Sequence, residues 1–169
     1  MKAGRVYFYA IIILVNGLVV NFIIRRRGRM SKILLVSNNY ELCKCIKSYE
    51  FIDGSAIDAL IAVRNYVHQG GVILTHPLCG NLRPYQQPFR SVLLEIKNNI
   101  LDLESLSLIE HAIEIYNSVK NINIKELSRE HYADFSFIDA ELMRESLEQF
   151  NLINNKSSWP RPAELLNLN

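Results

Sequence analysis

The fold is decided most clearly between Val72 and Arg90, where the chain reads VILTHPLCGNLRPYQQPFR. The short run Val72–Leu74 is β-branched and aliphatic, which predicts a buried strand. It ends in a polar loop that contains one histidine, two arginines, one glycine and three prolines. A rigid strand that delivers an ordered polar loop is how an α/β sheet presents a binding surface at its carboxyl edge. The sequence therefore predicts a binding site in the loop from Thr75 to Arg90.

The segments around this loop alternate between strand patterns and helix patterns. Such alternation favours an α/β fold with a small, mostly parallel sheet flanked by helices. The helix next to the loop has a core stripe that includes Leu60 and Val67, and Gly70-Gly71 ends it. The expected strands are Lys32–Ser37, Phe51–Ile52, Val72–Leu74 and Ser91–Ile96, and the expected helices are Tyr40–Tyr49 and Ala56–Gln69, the latter capped by Ser55 or Asp53.

Helical patterns dominate the C-terminal part of the chain. Asp102 is expected to open a long, largely apolar helix to about Val119, and Asp139 is expected to cap a last amphipathic helix through Phe150. Residues 151–169 read as a polar tail, in which Trp159-Pro160 and Leu165-Leu166 are possible docking points.

Composition narrows the class of protein. At 169 residues the chain fits one domain with a proper core. A net charge of +2 is too mild to indicate a nucleic-acid partner, and the basic residues concentrate in the cluster Arg25–Arg29. Three cysteines are an odd count, which favours a reducing cytoplasm over a disulfide scaffold. No glycine-rich nucleotide motif and no P-loop lysine occur, so we expect no cofactor.

The first 29 residues form a hydrophobic leader with two open interpretations. Val6–Ile24 carries no charge, and as a helix it would be roughly 28 Å long, about the thickness of a bilayer core. It would then be a membrane anchor, with the Arg cluster holding the main domain in the cytoplasm. Alternatively, the start is assigned too far upstream and Met30 is the true first residue. In either case the functional domain is expected at residues 30–150.

A family resemblance rests on four ordered elements in and around the loop. They are Phe51–Gly54 (FIDG), Val63–Gly70 (VRNYVHQG), Leu74–Asn81 (LTHPLCGN) and Arg83–Ser91 (RPYQQPFRS). In them the chain resembles the GrdX family, small proteins associated with the glycine reductase gene clusters of amino-acid-fermenting anaerobes. The resemblance implies a setting, namely an accessory or regulatory role beside the selenium-dependent reduction of glycine, sarcosine or betaine. It brings no assigned biochemical activity.

The loop offers two kinds of polar side chain for binding. Thr75-His76 falls at the end of a strand, where imidazole could bind an anion or act as acid or base near neutral pH. Alternatively, His76 caps a turn by hydrogen bonding to backbone. Arg83 and Arg90 could together hold a carboxylate or phosphate, and Gly80-Asn81 could let backbone N–H groups approach it. Alternatively, both arginines are solvated, or pair with Asp53 or Glu95.

Metal and nucleophile chemistry find less support. His68 and His76 lie at opposite ends of a strand, roughly 13 Å apart, so we expect no metal site between them. Cys79 could be a nucleophile with a lowered pKa, but no third group to orient it is visible. We therefore assign no catalytic residue.

Two hypotheses follow. The first is an accessory protein that binds a glycine reductase component or a small anionic ligand through Thr75, His76, Gly80, Asn81, Arg83 and Arg90. The second is a small enzyme in which His76 acts as acid or base while Arg83 and Arg90 hold an anionic substrate.

Overall fold

The computed structural model describes residues 6–15, 18–27, 32–80, 87–97, 100–118 and 124–166. The chain divides into two compact units, residues 1–32 and residues 33–169. The residues named in the sequence-based predictions that lie outside the described part of the chain include Arg29, Met30, Asn81, Arg83 and Val119.

The first unit contains a β-hairpin. Strand β1 (Val6–Val15) pairs with β2 (Leu18–Arg27) in antiparallel register, from Val6 opposite Arg27 to Val15 opposite Leu18. The described residues of this segment form strands, so the helix that the membrane-anchor interpretation requires is not observed in them. The segment is rich in β-branched and aromatic residues, which favour strands. Among the described residues, no helix is long and apolar enough to cross a membrane.

The second unit is built on a four-stranded sheet. Its strands are β3 (Lys32–Ser37), β4 (Tyr49–Phe51), β5 (Gly71–Ile73) and β6 (Ser91–Ile96), in the spatial order β4-β3-β6-β5. β3 and β4 are parallel, whereas β5 and β6 are antiparallel. The end of β3 meets the start of β6, where Ser37 Oγ and Ser91 Oγ are 2.7 Å apart, so these two central strands also run in opposite directions.

The sheet is thus mixed. The α/β class predicted from the sequence is confirmed, but the expectation of a mostly parallel sheet is wrong. The physical reason is the connection between β5 and β6. Parallel neighbours need a crossover that returns the chain to the starting edge, usually through a helix. The proline-rich sequence after β5 has no helical pattern, and β6 starts again at the edge where β5 ends.

Helices cover both faces of the sheet. The period-two alternation of the central strands sends Leu34, Val36, Val92 and Leu94 to one face and Leu35 and Leu93 to the other. The first face packs against helices α2 (Ala56–His68) and α3 (Leu103–Asn117). The second packs against the short helix α1 (Tyr40–Cys43) and against α4 (Arg129–Gln149). The result is a three-layer α/β/α core.

Side-chain caps set most helix starts. Ser55 caps α2 in a reciprocal capping box with Asp58, and Asp102 caps α3 by accepting from the Ser105 N–H. Helix α1 is shorter than expected, because the chain enters β4 at Tyr49. The last long helix begins after Ser128, so Asp139 is not its cap and instead lies buried in its middle.

The C-terminal segment packs back onto the second face. Trp159, a possible docking point in the sequence, is 9 % exposed and belongs to the core cluster of α1 and α4. Its indole N–H donates to Glu141 Oε1 at 2.8 Å. A bridge between Ile46 and Ile153 and the short helix α5 (Ala163–Leu166) complete this region.

Candidate functional site

One edge of the sheet collects the loops of the second unit. Strands β3, β4 and β5 run in one direction and β6 in the other. The segments that follow the first three strands therefore meet the segment Pro88–Arg90, which precedes β6. Both ends of the loop from Thr75 to Arg90 lie at this edge, which the sequence-based argument placed correctly despite the wrong strand direction.

Asn38 ties three of these segments together. Its side-chain Nδ2 donates to the Gly54 carbonyl at 3.1 Å and to the Pro88 carbonyl at 3.0 Å. Its Oδ1 accepts from the Arg90 N–H at 2.7 Å. Asn38 is 3 % exposed, so water cannot take the place of its side chain as the hydrogen-bond partner of these backbone groups. Asn38 thus fixes where Arg90 leaves the loop.

A second buried network joins α4 to the same edge. Asp139 Oδ2 accepts from Asn39 Nδ2 at 3.0 Å and from Ser91 Oγ at 2.7 Å. Asn39 Oδ1 in turn accepts from Ser136 Oγ at 2.8 Å. Burial raises the pKa of Asp139, while the hydrogen bonds from Ser91 and Asn39 and the charge of Arg90 oppose that rise. The network places a carboxyl group inside the molecule, close to a guanidinium.

That guanidinium belongs to Arg90, which is 3 % exposed. Its Nε donates to the Tyr116 hydroxyl, and its Nη1 donates to the Cys79 carbonyl at 3.0 Å. The guanidinium carbon lies 5.4 Å from the centre of the Tyr116 ring, a cation–π arrangement. Its second terminal nitrogen, Nη2, is buried and has no hydrogen-bond partner among the residues that the structure describes. Arg90 therefore pairs with neither Asp53 nor Glu95 and is not solvated.

Thr75 and His76 both hydrogen-bond to backbone. Thr75 Oγ1 accepts from the Leu93 N–H at 2.9 Å, and His76 Nδ1 accepts from the Leu78 N–H at 3.1 Å. The second bond assigns the proton of neutral His76 to Nε2. Partial burial, followed by the charges of His111 and Arg90, lowers the His76 pKa. At neutral pH the exposed imidazole thus presents an N–H donor.

Gly80 is the conformational pivot of the loop. Its φ of +116° lies in a region that favours glycine, and a Cβ there would come 2.9 Å from Leu142 Cδ1 and 3.1 Å from Gln87 Nε2. Burial raises the pKa of the neighbouring Cys79, although the charge of Arg90 opposes it. The suggestion that Cys79 has a lowered pKa is therefore wrong, because partial burial raises the pKa of its thiol.

Four residues of this edge were not found by sequence reasoning: Asn38, Gln87, Tyr116 and Asp139. Gln87 is 6 % exposed, and within the described part of the chain its Oε1 has no hydrogen-bond partner. Together with Asp139 it lines a crevice that also includes Pro88, Phe89, Phe135 and Ile138. Two signals were available: Gln87 is a polar residue among prolines, and Asp139 is an aspartate inside a helix. Buried polar residues in such positions are unusual unless their hydrogen-bond partners are buried as well.

The edge combines a buried cation, whose Nη2 has no acceptor among the described residues, with an exposed imidazole donor and a thiol whose pKa is raised by burial. In the part of the chain that the structure describes, no group of three or more His, Cys, Asp or Glu residues could hold a metal ion.

Comparison with known proteins points to one family. No curated protein and no solved structure matches the chain. The family model for GrdX-like proteins matches residues 34–148, which cover the sheet, helices α1 to α3 and nearly all of α4. This match spans more than half of the 169 residues and includes every element of the site. The chain belongs to the GrdX-like protein family.

Proposed function

We propose that this GrdX-family chain is a cytoplasmic, non-catalytic accessory protein of glycine reductase-type amino-acid fermentation. It recognises an anionic group through the loop from Thr75 to Arg90. The observation that carries the proposal is Arg90, a permanently charged side chain that is 3 % exposed and keeps Nη2 without a partner. Burying an N–H donor of a cation without an acceptor is costly, so such a group is normally completed by a ligand or by water.

The anionic group is a carboxylate or phosphate, carried by a reductase component or by a small metabolite. Both groups present oxygens in the geometry that a guanidinium binds best. Three features prepare Arg90 for this role: Asn38 fixes its backbone, Tyr116 holds its Nε, and the Cys79 carbonyl holds its Nη1. His76 adds an exposed N–H donor from the other end of the loop. The three free cysteines fit a reducing compartment.

The tautomer of His76 favours this role over the small-enzyme alternative. A general base needs an unprotonated nitrogen that faces the substrate. In neutral His76 that nitrogen is Nδ1, and it already accepts from the Leu78 N–H. Proton abstraction would require this bond to break, whereas hydrogen-bond donation from Nε2 needs no rearrangement.

The test is an anaerobic affinity purification of the tagged full-length chain from cells that ferment glycine. Wild type is compared with Arg90→Lys and with Arg64→Lys, a control whose arginine lies on α2 and pairs with Glu110 at 3.9 Å. Reductase components identified by mass spectrometry should appear with wild type and the control and be lost with Arg90→Lys. Equal recovery with all three proteins would contradict a role for Arg90 in partner recognition. Absence of both reductase components and anion binding would remove the proposal.

A further inference from the structure

The two edge strands of the four-stranded sheet differ in what lies beside them. At one edge, the Ile73 N–H of β5 donates to Ser105 Oγ of α3 at 2.9 Å, so a helix covers this edge. At the other edge, β4 has β3 on one side and, among the described residues, no strand on the other. An uncovered edge offers unpaired N–H and C=O groups to another chain. The outer edge of β4 is therefore where the sheet can accept a further strand.

The backbone groups that point outward from β4 belong to Tyr49 and Phe51. The ladder to β3 uses the Ser48 carbonyl, which accepts at 3.1 Å, and the Ile52 N–H, which donates at 2.9 Å. Alternate residues of a strand direct their backbone groups to opposite sides, so the N–H and C=O of Tyr49 and Phe51 turn away from β3. No described residue forms a hydrogen bond with these four groups. They form a short template of two donors and two acceptors.

Aromatic side chains lie along this edge on the face that packs against α1. Tyr49 is 45 % exposed and Tyr40, at the start of α1, is 49 % exposed. The Tyr40 ring packs edge-on against the Phe51 ring, with 5.2 Å between the ring centres. Lys44 Nζ lies 4.5 Å from the centre of the Tyr40 ring and pairs with Glu41 at 2.8 Å. These held, exposed rings suit apolar side chains of a bound strand, since aromatic residues are enriched at interfaces.

The opposite face of the edge carries one carboxylate. Glu50 lies between Tyr49 and Phe51, is half-buried, and its Oε2 accepts from the Tyr66 hydroxyl of α2. None of the ion pairs among the described residues includes Glu50. An opposite charge placed directly across from it on a neighbouring strand would be stabilising, whereas a like charge would be destabilising. The centre of the edge therefore selects a strand with a basic residue.

We propose that β4 accepts an extended segment of a partner protein as a fifth, antiparallel strand of the sheet. The segment has lysine or arginine opposite Glu50 and apolar residues opposite Tyr49 and Phe51. In this arrangement Tyr49 and Phe51 each exchange two backbone hydrogen bonds with the added strand. A second copy of this chain fits less well, because its own Glu50 would then face Glu50. This surface goes beyond the proposed anion recognition and does not involve Arg90.

Nuclear magnetic resonance of the ¹⁵N-labelled full-length chain tests the inference with two capped five-residue peptides. One has lysine at its centre between valines, with threonine at both ends, and the other has glutamate in place of the lysine. The lysine peptide should shift the amide signals of Tyr49 and Phe51 saturably and bind about 3- to 10-fold more tightly than the glutamate peptide. Glu50→Gln should remove this difference. The matched control Glu104→Gln, exposed on α3, should keep it.

Tyr49→Pro tests the backbone part of the inference. Its N–H points outward, so proline there leaves the ladder to β3 intact and removes one donor of the free edge, and the lysine peptide should bind more weakly. Fluorescence of the buried Trp159 shows whether the variant is folded. Should it be unfolded, hydrogen exchange of wild type decides: the Tyr49 and Phe51 amides should exchange freely in the isolated chain and become protected when the lysine peptide binds.

Three results would overturn the inference. If neither peptide shifts the Tyr49 and Phe51 signals, the edge accepts no strand. Equal binding of the two peptides to wild type would remove the basic residue from the partner. Protection of the Tyr49 and Phe51 amides that grows with protein concentration in the absence of peptide would show that a second copy occupies the edge. None of these results bears on the loss of reductase components expected for Arg90→Lys.

Discussion

Replacement of Asn38 by alanine should loosen the whole edge of the sheet that carries the site. The change removes three hydrogen bonds, to the carbonyls of Gly54 and Pro88 and from the N–H of Arg90, at distances of 2.7–3.1 Å. Each buried hydrogen bond contributes about 1 kcal/mol net, so Asn38→Ala should lower the free energy of unfolding by about 3 kcal/mol. For a chain of this size that corresponds to a fall in Tm of about 6–12 °C.

Urea denaturation followed by tryptophan fluorescence measures this loss, because the single tryptophan, Trp159, is buried in the same unit. Asn65→Ala is the matched control, since Asn65 is exposed on α2, and it should change stability by less than about 0.5 kcal/mol. Asn38→Asp keeps the acceptor but faces two carbonyls with an oxygen, so it should lose more stability at pH 7 than Asn38→Ala. A loss for Asn38→Ala no larger than that of the control would refute this reasoning.

Three further predictions concern the same edge. Burial raises the folded-state pKa of Asp139, so the stability that this group contributes is present below its unfolded pKa near 3.8 and is lost as pH rises through the folded value. The loss of unfolding free energy caused by Asp139→Asn should therefore shrink as pH rises, which urea midpoints at several pH values would measure. A loss that grows with pH would contradict the direction of this pKa shift. Gly80→Ala should lower the free energy of unfolding by about 1–3 kcal/mol because of the positive φ of Gly80. The double variant Gly80→Ala/Leu142→Ala should not regain this stability in thermal melts. Full recovery would show that the loss comes from the contact between the new Cβ and the Leu142 side chain instead. Because burial raises the Cys79 pKa, its thiol should react with iodoacetamide at pH 7.5 more slowly than free cysteine, and faster labelling in a mass-spectrometric time course would show a reactive thiolate.

Local sequence patterns were sufficient for most of the second unit. Short apolar runs identified β3 and β6, and the caps Ser55 and Asp102 identified the starts of α2 and α3. These signals come from residues that are neighbours in the sequence, so they can be recognised in a single sequence. The direction of a strand cannot be recognised in this way, because it depends on how the chain returns to the sheet after β5.

The errors have physical causes as well. Asp139 has the residue type of a helix cap, but it is buried in α4, where Ser91 and Asn39 donate hydrogen bonds to its Oδ2. These two partners lie 48 and 100 residues away in the sequence, respectively. The hydrophobic length of the leader allows a membrane-spanning helix as one interpretation, whereas its β-branched content favours the strands that are observed.

For the site, the sequence identified the loop but not what completes it. The sequence predicts that Arg90 and Arg83 hold an anion, with solvated arginines as the alternative, and the structure places Arg90 in the interior with Tyr116 and the Cys79 carbonyl. Its partners come from α3 and from the far end of the loop, so no local pattern could reveal them. Because Arg90 is buried, it is not a solvated cation but one whose Nη2 has no hydrogen-bond acceptor among the described residues.

The most direct test of that interpretation is two-dimensional ¹⁵N NMR of the arginine guanidinium groups during titration with acetate. Arg90→Lys assigns the Arg90 signal by its disappearance, and Arg64, on α2 and paired with Glu110, provides the internal control. The account predicts that the Arg90 Nε–H signal exchanges slowly with water and shifts saturably as acetate binds, while the Arg64 signal stays in place. An Arg90 signal that remains unmoved through the titration, and with glycine as well, would contradict the central claim that this buried guanidinium binds an anionic group.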